Sequence, residues 1–214
     1  MMSNASRFFL IWSTPAPTFS PRFTRSVESI FRHHPAAHIS VLSNTLPLNY
    51  FRQLTDAGLD LEVERYDLGA LVTNSRAQVW YDFRRFWNRS AFFPNHEADL
   101  LRLLTLRQRG GVYVDTDVIF VRPLPISRCV NVVGVEAGSG GVSAAQLLPD
   151  APVSSLETGL PTGSVLCNAV MSFARTAPLL DTLIEAFVED YVPFPPGWSM
   201  LVGLRPSELS YSFP

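Results

Sequence analysis

The sequence predicts an α/β fold built on a mostly parallel central sheet, and three observations lead there. Apolar runs of strand length alternate with segments of helical periodicity in a β-α-β-α-β order through the first part of the chain. A short β-branched and aromatic run, Val112-Tyr113-Val114, ends in the polar cluster Asp115-Thr116-Asp117, and open α/β sheets bind their ligands at the C-terminal ends of central strands. Length and composition agree: 214 residues, 47% hydrophobic and 17% charged, suffice for one substantial core.

Composition also excludes some functions. A net charge of −2 argues against a nucleic-acid binder, which normally carries a basic excess. All 17 basic residues are arginine, which rules out catalysis by lysine. Two cysteines, Cys129 and Cys167, decide no redox compartment. No signal peptide and no apolar run of membrane-spanning length is evident.

Each element has its own warrant. Residues 8–12, FFLIW, form a continuous apolar run that reads as a first, buried strand, and the Pro- and Thr-rich 13–20 as the loop at its end. Ser20-Pro21 opens a helix through cap and first-turn proline, with Phe23, Val27, Ile30 and Phe31 on one face. It closes at His33-His34-Pro35, and these adjacent histidines diverge on a helix and have no third ligand near, so they read as a solvated end. A second strand is expected over 38–42, a helix over 49–57 stopped by Gly58, and a third strand over 61–66. Residues 76–87 form a basic and aromatic helical stretch expected to pack on the sheet, with Arg84 and Arg85 solvated or near a diphosphate. Asn88-Arg89-Ser90 is a glycosylation sequon, meaningful only in a secretory compartment.

The stretch 95–124 organises the rest. Residues 97–109 carry leucines at helical spacing, with Asn95 as N-cap and Gly110 as the stop. Within it Asp99 and Arg102, three apart, share a face. Gly110-Gly111 then delivers the chain into the strand that ends at Asp115, and a second strand is expected over 118–121. Carboxylates at i and i+2 on extended backbone point to one side of a sheet and repel unless a cation sits between them. Mg²⁺ or Mn²⁺, held by one or two carboxylates and completed by water and phosphate oxygens, fits that arrangement. An isolated D-x-D more often caps the next segment; the flanking strand and the upstream Asp/Arg pair favour the site.

Asp99-x-x-Arg102, then Gly110-Gly111-Val112-Tyr113-Val114-Asp115-Thr116-Asp117, then Pro123-Leu124, together resemble the signature of the DXD glycosyltransferase family that contains α-1,4-galactosyltransferase and α-1,4-N-acetylglucosaminyltransferase. More distantly they resemble the glucosylating domains of large bacterial toxins. The resemblance implies a GT-A (Rossmann-like) nucleotide-sugar-binding fold over 7–191, a UDP-sugar donor, Mn²⁺ or Mg²⁺ as cofactor, and a glycan or glycolipid acceptor. It implies retention of configuration, although no carboxylate pair for double displacement stands out. Asp117, supported by Asp115, would hold the metal; Asp115 would also reach the ribose, and Asp99 and Arg102 would orient the sugar. An aromatic matching Trp12 would stack on uracil, though a core tryptophan is an equal reading. The family's usual Asn falls at Cys167, and its neighbour Asn168 stands in only if a one-residue slip does not turn it to the other face. The family's usual N-terminal anchor implies a Golgi lumenal setting.

Residues 131–136 read as another strand, 137–163 as a flexible Gly/Ser/Ala/Pro-rich insertion, 165–173 as a strand and 178–191 as an amphipathic helix. The tail 192–214 departs from the family, only Gly197-Trp198 looking familiar. Two alternatives stay open: an inactive, truncated transferase, and an aspartyl-phosphatase of the haloacid-dehalogenase type with Asp115 as nucleophile.

Overall fold

The computed structural model describes residues 6–125, 131–135 and 166–191. In chain order its strands are β1 (Arg7–Ile11), β2 (His38–Leu42), β3 (Leu61–Glu64), β4 (Gly111–Val114), β5 (Val132–Val135) and β6 (Leu166–Phe173). The helices are α1 (Pro21–His33), α2 (Arg52–Asp56), α3 (Leu68–Val72), α4 (Ala77–Asp82), α5 (Arg84–Trp87), α6 (Phe93–Arg109) and α7 (Pro178–Glu189). The sheet order is β3-β2-β1-β4-β6-β5. The first four strands in that order run parallel, and the last two run antiparallel to them or to each other. This is a mixed α/β architecture with a mostly parallel sheet.

β1 lies centrally because both of its faces are apolar: Phe8, Phe9 and Leu10 are fully buried. Strand alternation sends Phe9, Ile11, Leu42 and Tyr113 to one face, where α6 and α7 cover them through Leu100, Leu103, Leu104, Leu180 and Ile184. Phe8, Leu10, Val41, Val112 and Val114 go to the other, under Val27, Ile30 and Phe31 of α1.

Several expectations shift. No strand forms over 118–121; that segment runs along α1 instead, with the Phe120 amide donating to Ser29 Oγ at 3.0 Å and the Leu124 amide to His34 Nε2 at 3.1 Å. His34 is thus a structural acceptor rather than a solvated group, and partial burial lowers its pKa, with the neighbouring His33 adding to the effect. Asn95 is not the N-cap of α6, which begins at Phe93 with Pro94 in its first turn. The third strand stops at Glu64, where Arg109 pairs with the carboxylate, Nη1 to Oε2 at 2.7 Å. The 49–57 helix contracts to α2. The 76–87 stretch breaks at Phe83 into α4 and α5, and α3, capped by Asp67 on the Ala70 amide, is an element the periodicity did not announce. Cys129, the 137–163 insertion and the 192–214 tail with Gly197-Trp198 lie outside the described residues.

Candidate active site

The site is assembled by the turn between α6 and β4. Gly110 and Gly111 have φ of +64° and +108°, a region that side chains rarely enter. A Cβ on Gly110 would lie 2.6 Å from the Arg175 backbone nitrogen, and one on Gly111 2.8 Å from the Arg7 carbonyl oxygen. Two glycines therefore let a long helix fold straight back into a buried strand. That places the Asp99 and Arg102 face of α6 over the end of β4.

Arg102 is the hub. Its Nη2 lies 2.9 Å from Asp99 Oδ1 and its Nη1 3.2 Å from Asp115 Oδ1. Nη1 also donates to the Asn168 carbonyl at 3.1 Å, and the guanidinium lies over the Tyr113 ring at 4.6 Å. The Tyr113 hydroxyl donates to Asp115 Oδ1 at 2.6 Å, and Asn168 Nδ2 to Asp99 Oδ1 at 3.4 Å. Arg102 Nε is buried without a partner among the described residues. The structure thus brings Asp99, Arg102, Asp115 and Asn168 together.

Asn168 reaches this cluster through an irregularity in β6. Val133 pairs with Met171, yet the next residue, Gly134, pairs with Cys167. The intervening residues bulge away from β5, while β4 keeps a regular register with 170–173 and the Asp115 amide donates to the Ala169 carbonyl at 2.8 Å. The bulge is what removes the facing problem posed by a one-residue slip. Cys167 is half-buried and free.

One cation serves two carboxylates, and the titration behaviour follows. Burial pushes the Asp99 pKa up to about 6, with Arg102 opposing and Asp115 adding to the rise. Asp115 is likewise raised by burial, against the pull of Arg102 and the Tyr113 hydrogen bond. Burial also holds the Tyr113 hydroxyl well above the ordinary tyrosine range, so it stays a donor. Arg102 itself loses hydration, but Tyr113, Asp115 and Asp99 more than offset that and its pKa is raised.

Asp117 is placed differently. β4 ends at Val114 and residues 115–117 form a turn, the Val118 amide donating to the Asp115 carbonyl at 3.1 Å. The two aspartates are therefore not side by side on extended strand, as their spacing suggested. Asp117 faces solvent, 60% exposed, with Arg22 Nη2 of the α1 N-terminal turn 3.8 Å from its Oδ2. Trp12 is 8% exposed and packs at 4.8 Å against both Phe19 and Phe23, its Nε1 buried and unpartnered among the described residues. Of its two readings, core packing is the one this geometry displays. Arg84 lies over the Tyr81 ring at 3.8 Å, and Arg85 is exposed.

Among the described residues no three His, Cys, Asp or Glu side chains converge as a closed metal site. The donor set fits a hard cation taking one or two carboxylates from the protein and the rest from phosphate and water. Sequence reasoning missed Tyr113 and Arg22. Tyr113 was detectable, since at i−2 from Asp115 on a strand it must share that side chain's face; Arg22 carried no signal.

Residues 20–137 match the family model described as the glycosyltransferase sugar-binding region containing the DXD motif. An uncharacterized protein of Arabidopsis thaliana, At4g19900, is 31% identical over 88% of this chain and 25% of its own length. The lactosylceramide 4-alpha-galactosyltransferase of Mus musculus is 28% identical over 54% of this chain and 33% of that enzyme. The chain thus spans a third or less of these relatives. Among solved structures, the PaToxG glycosyltransferase superposes with a TM-score of 0.58 at 14% identity, covering 95% of this chain and 66% of that one, which is a shared fold.

Proposed function

The chain belongs to the DXD-containing glycosyltransferase family, and from that premise we propose that it transfers a hexose or N-acetylhexosamine from a UDP-sugar to a glycan or glycolipid acceptor, with retention and with Mn²⁺ or Mg²⁺. The observation that carries this reading is the buried Asp99–Arg102–Asp115 network set beside a solvent-facing Asp117 at the C-terminal edge of the parallel strands. Residues 7–191 form the transferase domain in this reading. No helix among the described residues is long and apolar enough to cross a membrane.

Asp117, exposed and with Arg22 at 3.8 Å as its ion-pair partner among the described residues, would hold the cation, with Asp115 in support. When bound, the metal neutralises the charge that builds on the departing diphosphate. Arg102 keeps Asp115 fixed at the strand end, and Tyr113 holds the same oxygen from below. Asp99, steadied by Arg102 and Asn168, offers a carboxylate oxygen to sugar hydroxyls. A preorganised network of this kind loses little on donor binding, because its side chains are already ordered. Arg22 stands near enough to Asp117 to add positive charge beside the phosphates. Asp115, already engaged by Arg102 and Tyr113, is not presented as a phosphatase nucleophile.

The test is thermal stability with UDP and Mn²⁺, then with EDTA, on wild type and Asp117→Ala. A ligand at about one hundred times its dissociation constant adds roughly 2.7 kcal/mol. A metal-dependent rise lost in the variant, followed by UDP-sugar hydrolysis, supports the reading. No rise in a cooperatively folding wild type overturns it and favours an inactive transferase.

A further inference from the structure

We propose that the surface formed by α4 and α5 is a docking face for an anionic lipid bilayer. Val79, Phe83 and Phe86 are 53%, 50% and 59% exposed, and Phe83 lies 6.2 Å from Phe86 and 6.3 Å from Trp87 as one aromatic group. Such a group turned to water is unfavourable unless something covers it. Its surroundings identify the cover. Residues 76–90 contain four arginines (Arg76, Arg84, Arg85, Arg89) and one carboxylate, Asp82, a segment charge of +3 on a chain of net −2, which Glu185 beside Arg76 brings to +2. Arg85 and Arg89 are exposed, whereas Arg76 pairs with Glu185 at 3.8 Å. Aromatic side chains that insert at headgroup depth, flanked by arginines that meet lipid phosphates and carboxylates, are the chemistry of an interfacial helix.

The footing is rigid. Trp80, on the inner side of α4, stacks on Phe93 at 5.7 Å and meets Phe187 and Tyr191 at 5.9 and 5.5 Å. Tyr191 in turn lies 5.2 Å from Trp87, so α4 and α5 are fixed to α6 and α7 rather than hanging free. The patch also lies near the site. α6 leads into β4 and so begins at the C-terminal edge of the parallel strands; there Glu97 accepts from the Tyr66 hydroxyl, just past β3, at 2.9 Å. A bilayer on this face would lie along the edge that carries the DXD turn.

The inference stands apart from the donor reading, since vesicle binding needs neither nucleotide nor metal. The experiment is co-sedimentation of the whole chain with vesicles of phosphatidylcholine alone and of a roughly 3:1 mixture with phosphatidylserine. Wild type is expected to pellet with the mixed vesicles, less with the neutral ones, and less at high salt. Arg85→Gln with Arg89→Gln should weaken mixed-vesicle binding by about fivefold per charge. Phe83→Ser with Phe86→Ser should abolish it while leaving any UDP-dependent melting shift intact. Wild type remaining in the supernatant, or both variants pelleting like wild type, overturns the proposal. So does a wild-type dimer in sedimentation equilibrium that the phenylalanine variant dissociates, which would make the face a contact between two copies of the chain.

Discussion

Arg102 and Asp115 meet at 3.2 Å although they belong to different elements, a helix and the end of the strand that follows it. The contact ties the sugar-facing side of α6 to the DXD turn, and Asp99 shares the same cation. Replacing Arg102 with methionine keeps the volume and leaves two buried carboxylates facing each other. The expected loss in urea unfolding at pH 7 is about 3–5 kcal/mol, shrinking at pH 5 as the carboxylates take up protons. A loss near zero would mean that the network carries no structural weight.

Asp99 predicts a pH dependence with a definite sign. Its folded pKa of about 6 lies above the ordinary 3.8, so the folded state binds the proton more tightly than the unfolded one. Its favourable contribution is full below pH 4 and is lost as pH rises through 6, by about 3 kcal/mol. Asp99→Asn removes this titration. The stability difference between wild type and variant, followed by urea unfolding from pH 4 to pH 7.5, should therefore tilt toward the variant as pH rises. A difference independent of pH would contradict the assignment.

Asp115 and Asp117 should separate in their effects. Asp117 is 60% exposed, so Asp117→Ala should change stability by less than about 0.5 kcal/mol while removing metal-dependent donor hydrolysis. Asp115→Ala leaves Arg102 and the Tyr113 hydroxyl short of an acceptor, and about 1–3 kcal/mol of stability should go with the activity. Melting curves and hydrolysis rates on the same preparations distinguish the two.

The α6–β4 turn should tolerate neither alanine. Gly110→Ala combines a positive φ with a clash on the Arg175 backbone, and Gly111→Ala combines one with the Arg7 carbonyl. Each should lose more than about 2 kcal/mol in the denaturation midpoint analysis. Gly58→Ala, also at positive φ but with nothing within 4 Å, is the matched control and should lose about 1 kcal/mol.

Much of this architecture was readable from local pattern. FFLIW is apolar without interruption, and HISVL is apolar but for His38 and Ser40, because their strands are buried on both faces, and that is the pattern a central parallel strand imposes. Asp99 and Arg102 were legible because helical spacing alone brings them to one face. What escaped was set by long-range packing. The 118–121 segment has strand-like residues, yet its Phe120 amide goes to Ser29 of α1 and its Val118 amide to the Asp115 carbonyl rather than to a neighbouring strand. Asn168 could not be oriented from sequence, since a bulge opposite β5 is decided by where Val133 and Gly134 pair. Trp12 was ambiguous because burial among Phe19 and Phe23 and stacking on a base ask for the same residue type.

The sheet order also governs how the chain comes to be folded during synthesis. Of the described strands β1 is made first, and β2 and β3 can pair beside it within the next fifty residues or so, but its other edge waits for β4, which does not begin until Gly111. Until then a nascent chain presents an unpaired strand edge that is apolar from Phe8 to Ile11, the kind of surface that templates aggregation. Any expression fragment that stops short of Gly111 retains that open edge permanently. Fragments that reach Phe173 close it and give β4 its own second neighbour.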